Sequence, residues 1–285
     1  MFERKPLSNF HIMDSVHLEK VSIAHPTANS YRDKAPDAQN WDSIDTKAAA
    51  IMCQYAYCHL NHGRKETADL EYGWKPMSEE EVNSEIENGL YRKFERKRSG
   101  FNSMLFKKTT NGVDYYAYCT EGTEMSSLKD WFSNISQGLV GLSPQHTYSV
   151  QIAKRLDKAI GDRAVLWFIG HSLGGGLAAN NSLATGRHAI TFNAAGLNIL
   201  RVKTTILLNK REYAFHYKTR IRNIHAFVLE GEILNGILGK IAQPAYGTRQ
   251  EIKYKGEKKN AGERHGLVSI LDVMGIKHYW KGNYK

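Results

Sequence analysis

A serine set between two glycines is the feature of this chain best suited to chemistry: Gly170-His171-Ser172-Leu173-Gly174. Serine is a poor nucleophile at neutral pH. It becomes an acyl acceptor when a neighbouring base takes its proton and an acid fixes the tautomer of that base. Glycine two places before and two places after Ser172 permits a sharp turn from strand into helix, with the hydroxyl presented at the turn. The flanks meet that requirement. Ala164 to Ile169 is a nearly unbroken apolar run, as expected of a strand buried on both faces. Gly175, Gly176, Leu177, Ala178 and Ala179 open a helix of small residues that can pack close to that strand. The N-terminus of such a helix directs backbone N–H groups at negative charge forming on a carbonyl beside Ser172.

The run GHSLGGGLA resembles the nucleophile elbow of the class 3 lipases, the fungal-lipase-like branch of the α/β-hydrolases. The resemblance implies an α/β-hydrolase fold, a central, mostly parallel sheet flanked by helices. It also implies hydrolysis of lipid carboxylic esters through an acyl-enzyme on Ser172, with no metal and no organic cofactor. A second stretch supports it: Thr120-Glu121-Gly122-Thr123-Glu124, followed by Asp130-Trp131, is similar to the family segment that supplies half of the oxyanion hole. By that correspondence Thr123 donates its backbone N–H, and Leu173, the residue after the nucleophile, donates the other. Where the family commonly has an arginine before the glycine, this chain has Glu121, so local charge pairing is expected to differ. The sequence Tyr55-Ala56-Tyr57-Cys58 also loosely resembles the end of the family's N-terminal helix.

In α/β-hydrolases the order along the chain is serine, acid, histidine. The strand-like run Ile224 to Leu229 ends at Glu230-Gly231-Glu232-Ile233-Leu234. The family has Asp followed by two apolar residues here, so the resemblance implies Glu232 as the acid, one methylene longer than usual, with Glu230 in reserve. Of the twelve histidines, His265 has the family's position for the base, after a strand and a polar loop and just before a helix. His278 is the alternative. His171 neighbours the nucleophile but is expected to point the other way along the turn and serve packing.

The elements that must position these groups are legible in part. Ile44, Ala48, Ile51, Met52, Tyr55, Ala56 and His59 follow helical spacing, with Asp42 or Ser43 as cap. Ser78 and Glu81 form a capping box, which predicts a short helix through Leu90. Gly100 to Lys107 and Val113 to Cys119 read as strands joined by a tight turn at Asn111-Gly112. Gln145 to Ile160 reads as an amphipathic helix with Val150, Ile152, Ala153, Leu156 and Ile160 inward. Ala189 to Phe192, Ile224 to Leu229 and Arg249 to Tyr254 are further strands, and Gly266 to Met274 is a helix. The segment Leu197 to Arg222 is too long for a tight connection and reads as a surface excursion. Residues 1–41, with Pro6, Pro26 and Pro36, read as a polar arm lying on the domain or partly disordered, and residues 42–285 as a single domain.

Composition bounds the remaining possibilities. Hydrophobic residues make up 41% of 285 and charged residues 24%, ordinary for a globular chain with a sizeable core. No N-terminal stretch has the apolar character of a signal peptide, and no run of apolar residues is long enough to span a bilayer. The expectation is a protein cytoplasmic as synthesised, with export by a specialised secretion system as an option. Cys53, Cys58 and Cys119 cannot all pair with one another and read as reduced thiols. The net charge of +10 is unevenly placed: residues 1–200 carry 22 Lys and Arg against 22 Asp and Glu, and residues 201–285 carry 17 against 7.

Beside the acid, Ile233, Leu234, Ile237, Leu238 and Ile241 recur at helical spacing, either as an apolar ridge at the catalytic mouth or as core. These features favour a lipid or phospholipid substrate and an anionic membrane surface as partner. A lipase-like chain of this kind also resembles bacterial phospholipase toxins, which implies an immunity protein as a further partner. An inactive hydrolase fold used for binding is the non-enzymatic alternative. Nucleic acid is not expected, because the basic run Arg92, Lys93, Arg96, Lys97 and Arg98 has no interleaved aromatic platform beyond Tyr91 and Phe94.

Overall fold

A computed structural model describes residues 30–62, 70–122, 144–197, 217–235, 245–254 and 259–277. Among these residues eight strands join in one sheet. They are β1 (Lys75–Pro76), β2 (Glu95–Arg96), β3 (Phe101–Thr110), β4 (Val113–Thr120), β5 (Val165–His171), β6 (His188–Phe192), β7 (Ile224–Leu229) and β8 (Thr248–Ile252). The order is β1-β3-β4-β5-β6-β7-β8, with β2 on β3. The β3–β4 hairpin is antiparallel and β4 to β8 run parallel. Its turn is the expected one: Asn111 and Gly112 have φ of 53° and 74°, the paired positive values that match the right-handed twist of the flanking strands.

The helices are α1 (Ile44–His62), α2 (Glu79–Glu85), α3 (Pro144–Ile160), α4 (Leu173–Thr185), α5 (Tyr217–Arg222), α6 (Ala261–His265) and α7 (Leu267–Met274). Two of their layers explain why β5 is apolar from Val165 to Ile169. Side chains alternate across a strand, and every residue of β5 is buried. Val165, Trp167 and Ile169 pack with Met52 and Cys53 of α1 and Ile270 and Met274 of α7. Leu166 and Phe168 pack on the other face with Ile152 and Leu156 of α3 and Leu177 of α4. A strand between two helical layers has no solvent face to make polar. The sheet is therefore the mostly parallel, helix-flanked architecture expected, and its central strand leads straight into Ser172.

Several local expectations are corrected. The helix capped by Ser78 and Glu81 has the predicted capping box but ends at Glu85 rather than Leu90. Gly89 takes φ of 73°, and its N–H is held by the Asn83 side chain at 2.9 Å, so the chain has turned away before Leu90. Val150 is only partly buried, and Ser149 takes its place inward, bonded to Asn181 of α4 at 3.0 Å. The last strand spans Thr248–Ile252, shorter than Arg249 to Tyr254 at its end. The polar loop expected before His265 contains α6, with its own capping box between Asn260 and Glu263.

The N-terminal segment is tied down where it is described. Tyr31 N–H donates to the Asp162 carbonyl at 2.9 Å, Trp167 Nε1 donates to the Lys34 carbonyl at 3.0 Å, and Ala38 is fully buried. Arg32 and the fully buried Arg187 share Asp157 at 2.8 and 2.7 Å, which fastens this segment to α3 and the start of β6. Residues 1–29 of the expected arm lie outside the described residues, as does most of the expected excursion from Leu197 to Arg222. Among the described residues Cys53, Cys58 and Cys119 are in no disulfide.

His188 and His225 stack on the neighbouring strands β6 and β7 with ring centroids 6.0 Å apart. Burial, then the neighbouring His188, pushes His225 down to about 4, and burial also lowers His188. Above about pH 6.5 both are neutral folded or unfolded. Below it the unfolded chain binds protons that the folded chain refuses, so stability falls as pH drops from about 6.5 towards 4. The urea midpoint is expected to fall between pH 7 and pH 5, and His225→Gln is expected to flatten that fall. An equally steep fall in the variant would remove His225 from the account.

Candidate active site

The elbow is built by contact more than by glycine's torsional freedom. Neither Gly170 nor Gly174 has positive φ, whereas Ser172 does, with φ of 58° and ψ of −126°. A Cβ on Gly170 would lie 2.4 Å from the backbone of Gly174, and one on Gly174 would lie 2.1 Å from the Thr120 carbonyl oxygen. Glycine is required there because three backbones meet. Gly175 has the same role against the segment that follows β6, where an added Cβ would come within 2.7 Å of Ala194 Cβ. Thr120 Oγ1 donates to the Gly174 carbonyl at 2.7 Å and fastens the start of α4 to β4. Ser172 itself is anchored by its N–H to Phe192 O at 3.0 Å and by its carbonyl, which accepts from Ala195 N at 2.9 Å. These bonds hold a backbone conformation that costs energy and that places the side chain at the top of the turn.

The three side chains named from the sequence meet there. His265 Nε2 lies 2.8 Å from Ser172 Oγ, and His265 Nδ1 lies 2.7 Å from Glu232 Oε2. A carboxylate only accepts, so Nδ1 carries the ring proton and Nε2 presents its lone pair to the serine hydroxyl. All three groups are buried: Ser172 is 1% exposed, and Glu232 and His265 are 0% exposed. The hydroxyl is thus not open as the elbow pattern alone predicts, and the His265 ring nitrogen lies against it. Leu173 is the first residue of α4, so its N–H has no intrahelical acceptor and faces the same end of the helix. Thr123 lies outside the described residues, and so do His278 and Ile237, Leu238 and Ile241 of the expected ridge.

Glu232 is held by the turn that follows β7. Its Oε2 accepts Leu234 N–H at 2.9 Å, and its Oε1 accepts Asn235 N–H at 2.5 Å and Asn235 Nδ2 at 2.6 Å. With His265, four donors surround one carboxylate. Glu230, the reserve acid, is exposed; its carbonyl accepts from Arg264 at 3.0 Å, so it braces the loop that carries His265.

Sequence reasoning missed three contributors. Asn235 clamps Glu232 and accepts Ala245 N–H at 2.6 Å. Asn193, with φ of 41°, accepts Leu229 N–H at 2.8 Å and donates to the His265 carbonyl at 3.0 Å, joining the ends of β6 and β7 to the histidine loop. The Asn193-Ala194-Ala195-Gly196 run after β6 carried that signal, since Asn at a strand end favours left-handed backbone. His171 is the third. It points away from the nucleophile, as expected, but it does more than pack: its Nε2 lies 2.8 Å from the His265 carbonyl.

The arrangement can take a proton from Ser172, store it on an imidazole stabilised by Glu232, and return it to a leaving group. Among the described residues no group of three or more His, Cys, Asp or Glu could hold a metal ion.

Residues 48–270 match the family model of a Tle-like phospholipase domain. Over 184 residues the chain is 34% identical to a protein described as an extracellular phospholipase A1 from Serratia liquefaciens. That similarity covers 62% of this chain and 50% of the other, so the chain spans about half the length of the curated relative it matches. Among solved structures it is similar to a Rhizomucor miehei triacylglyceride lipase, at 10% identity and a TM-score of 0.43, over 81% of this chain and 93% of that one.

Proposed function

Because the chain belongs to the Tle-like phospholipase domain family, we propose that it hydrolyses acyl esters of lipids, phospholipids first among them, through an acyl-enzyme on Ser172. The observation that carries this reading is the unbroken line Ser172–His265–Glu232, at 2.8 and 2.7 Å, on a strained elbow. Ser172 Oγ attacks the acyl carbonyl while His265 Nε2 takes its proton. The N–H of Leu173 and that of Thr123 stabilise the oxyanion. His265 then protonates the departing glycerol oxygen, and the acyl group remains on Ser172. Water, deprotonated by His265, releases the fatty acid and restores the serine. Each step is completed by groups within residues 42–285, and none of them calls on a metal or cofactor.

The basic last third supports docking on an anionic membrane, since each Lys or Arg near such a surface gains about 1 kcal/mol. Lys259 contributes less, being paired with Asp272 at 2.7 Å. A toxin role is the biological reading that the family match supports, and with it goes the proposal of an immunity protein as partner.

The test is a fluorophosphonate probe together with a panel of phospholipid and triglyceride vesicles. The folded protein is expected to be labelled at Ser172 and to release fatty acid and lysophospholipid. A folded protein that neither takes the label nor releases fatty acid would be a binding protein instead.

A further inference from the structure

Behind the reacting side chains runs a second line of hydrogen bonds, through residues that the ester chemistry above does not use. His171 is the last residue of β5 and is buried. Its Nε2 lies 2.8 Å from the carbonyl oxygen of His265, which only accepts, so Nε2 carries the ring proton and donates. A neutral imidazole protonated on Nε2 has a bare lone pair on Nδ1. The Tyr57 hydroxyl, from α1, lies 3.1 Å from that atom and donates to it. The same hydroxyl accepts the backbone N–H of Gly122, just past the end of β4. All the donors point one way, from Gly122 through Tyr57 and His171 to the carbonyl of His265.

Both ends of this line bear on Ser172. The His265 carbonyl belongs to the residue whose ring must stay 2.8 Å from the serine hydroxyl. Gly122 is packed so closely that an added Cβ would lie 3.3 Å from Ser172 Cβ and 2.3 Å from the Tyr57 hydroxyl oxygen. We propose that Tyr57 and His171 are positioning residues that lock the backbones of Gly122 and His265 about Ser172 through this one-directional relay, and so set the rate of acyl transfer rather than substrate affinity. The relay rests on the ester-hydrolase reading above and adds two residues to it.

The protonation states agree with the geometry. Burial, then the adjacent His265, pushes His171 down to about 3, so it stays neutral wherever His265 works as a base. Burial and the charge of Glu121 hold the Tyr57 phenol well above its ordinary value, so it keeps the proton that it donates. A cationic His171 would instead sit with its ring centroid 5.3 Å from that of His265, opposing the imidazolium formed there.

The experiment measures kcat and KM on a soluble short-chain ester for Tyr57→Phe, His171→Leu and His171→Gln, beside Ser172→Ala. Tyr57→Phe and His171→Leu are expected to lower kcat by roughly ten- to a hundredfold, as small misplacements of a catalytic group do, with KM nearly unchanged. His171→Gln keeps an N–H donor near the place of Nε2 and is expected to recover much of the loss. In the wild-type protein, ¹⁵N imidazole NMR should show His171 neutral and protonated on Nε2 from pH 5 to 8, a readout that holds even if His171→Leu fails to fold. A wild-type kcat in Tyr57→Phe, equal losses in the Leu and Gln variants, or a cationic or Nδ1-protonated His171 would overturn the relay. If Ser172→Ala abolishes turnover while Tyr57→Phe is unaffected, the relay alone falls. If Ser172→Ala turns over like wild type, the ester-hydrolase reading falls with it.

Discussion

Ser172→Ala and His265→Ala are each expected to lower kcat/KM for a soluble ester by about a million-fold, because members of such a unit fail together rather than in proportion. The serine variant lacks the atom that bonds to the acyl group. The histidine variant keeps that atom but leaves its proton without an acceptor, since Nε2 is the group 2.8 Å away. Neither change should unfold the chain. Ser172→Ala keeps the anchors of the elbow, which are backbone bonds to Phe192 and Ala195. In His265→Ala the Glu232 carboxylate keeps three of its four donors, from Leu234 and Asn235. Circular dichroism and urea midpoints should therefore stay near wild type while turnover and fluorophosphonate labelling vanish. His278→Ala is the control, expected to behave as wild type. If His278→Ala abolishes turnover and His265→Ala does not, the base is His278.

How much of this was legible in the sequence depended on how local each cause is. The β5 strand, the elbow, the Asn111-Gly112 turn and the Ser78–Glu81 capping box are written in residues a few positions apart, where apolar runs and turn chemistry decide the backbone. The short helix α6 was equally local: Asn260 and Glu263 have the same cap spacing as Ser78 and Glu81, but no apolar periodicity follows, and five residues read as loop. The early end of α2 came from the Asn83 side chain capturing Gly89, a competition that helical spacing does not register.

The partners of the candidate site were hidden for a different reason. Asn193 reaches His265 across 72 positions and Tyr57 reaches His171 across 114, and nothing in either neighbourhood marks the other. The elbow pattern assigns His171 to packing because it sends the residue before the serine away from it. That residue does leave the nucleophile, but it meets the backbone of the histidine that returns from the far end of the sheet. Buried polar side chains must find partners, so each of these residues was a question that only the assembled sheet could answer.

The second large effect is expected at Glu232, where the number of donors decides the outcome. The carboxylate accepts from Leu234 N, His265 Nδ1, Asn235 N and Asn235 Nδ2, two donors on each oxygen. Glu232→Gln has the same shape but one accepting oxygen. If that oxygen faces His265, the new NH₂ is driven against the two donors of Asn235. If it faces Asn235, the NH₂ meets His265 Nδ1, which must then give up its proton and carry it on Nε2, where it cannot take one from Ser172. The first orientation leaves the two Asn235 donors unmatched in a fully buried place and the second leaves the Leu234 N–H, at a cost of about 1–3 kcal/mol each. Turnover is expected to fall by about ten-thousandfold, as for other acids that fix a catalytic histidine, which is less than the serine variant loses. Glu232→Asp restores the charge but is one methylene short in a turn set for the longer side chain. Because a misplacement near 1 Å costs on the order of a hundredfold, the Asp variant is expected to lie between Gln and wild type in rate, while keeping more stability than Gln. The check is kcat on the soluble ester at pH 8 beside the urea midpoint of each variant. A Gln variant that matches wild type in both would take the acid's role away from Glu232.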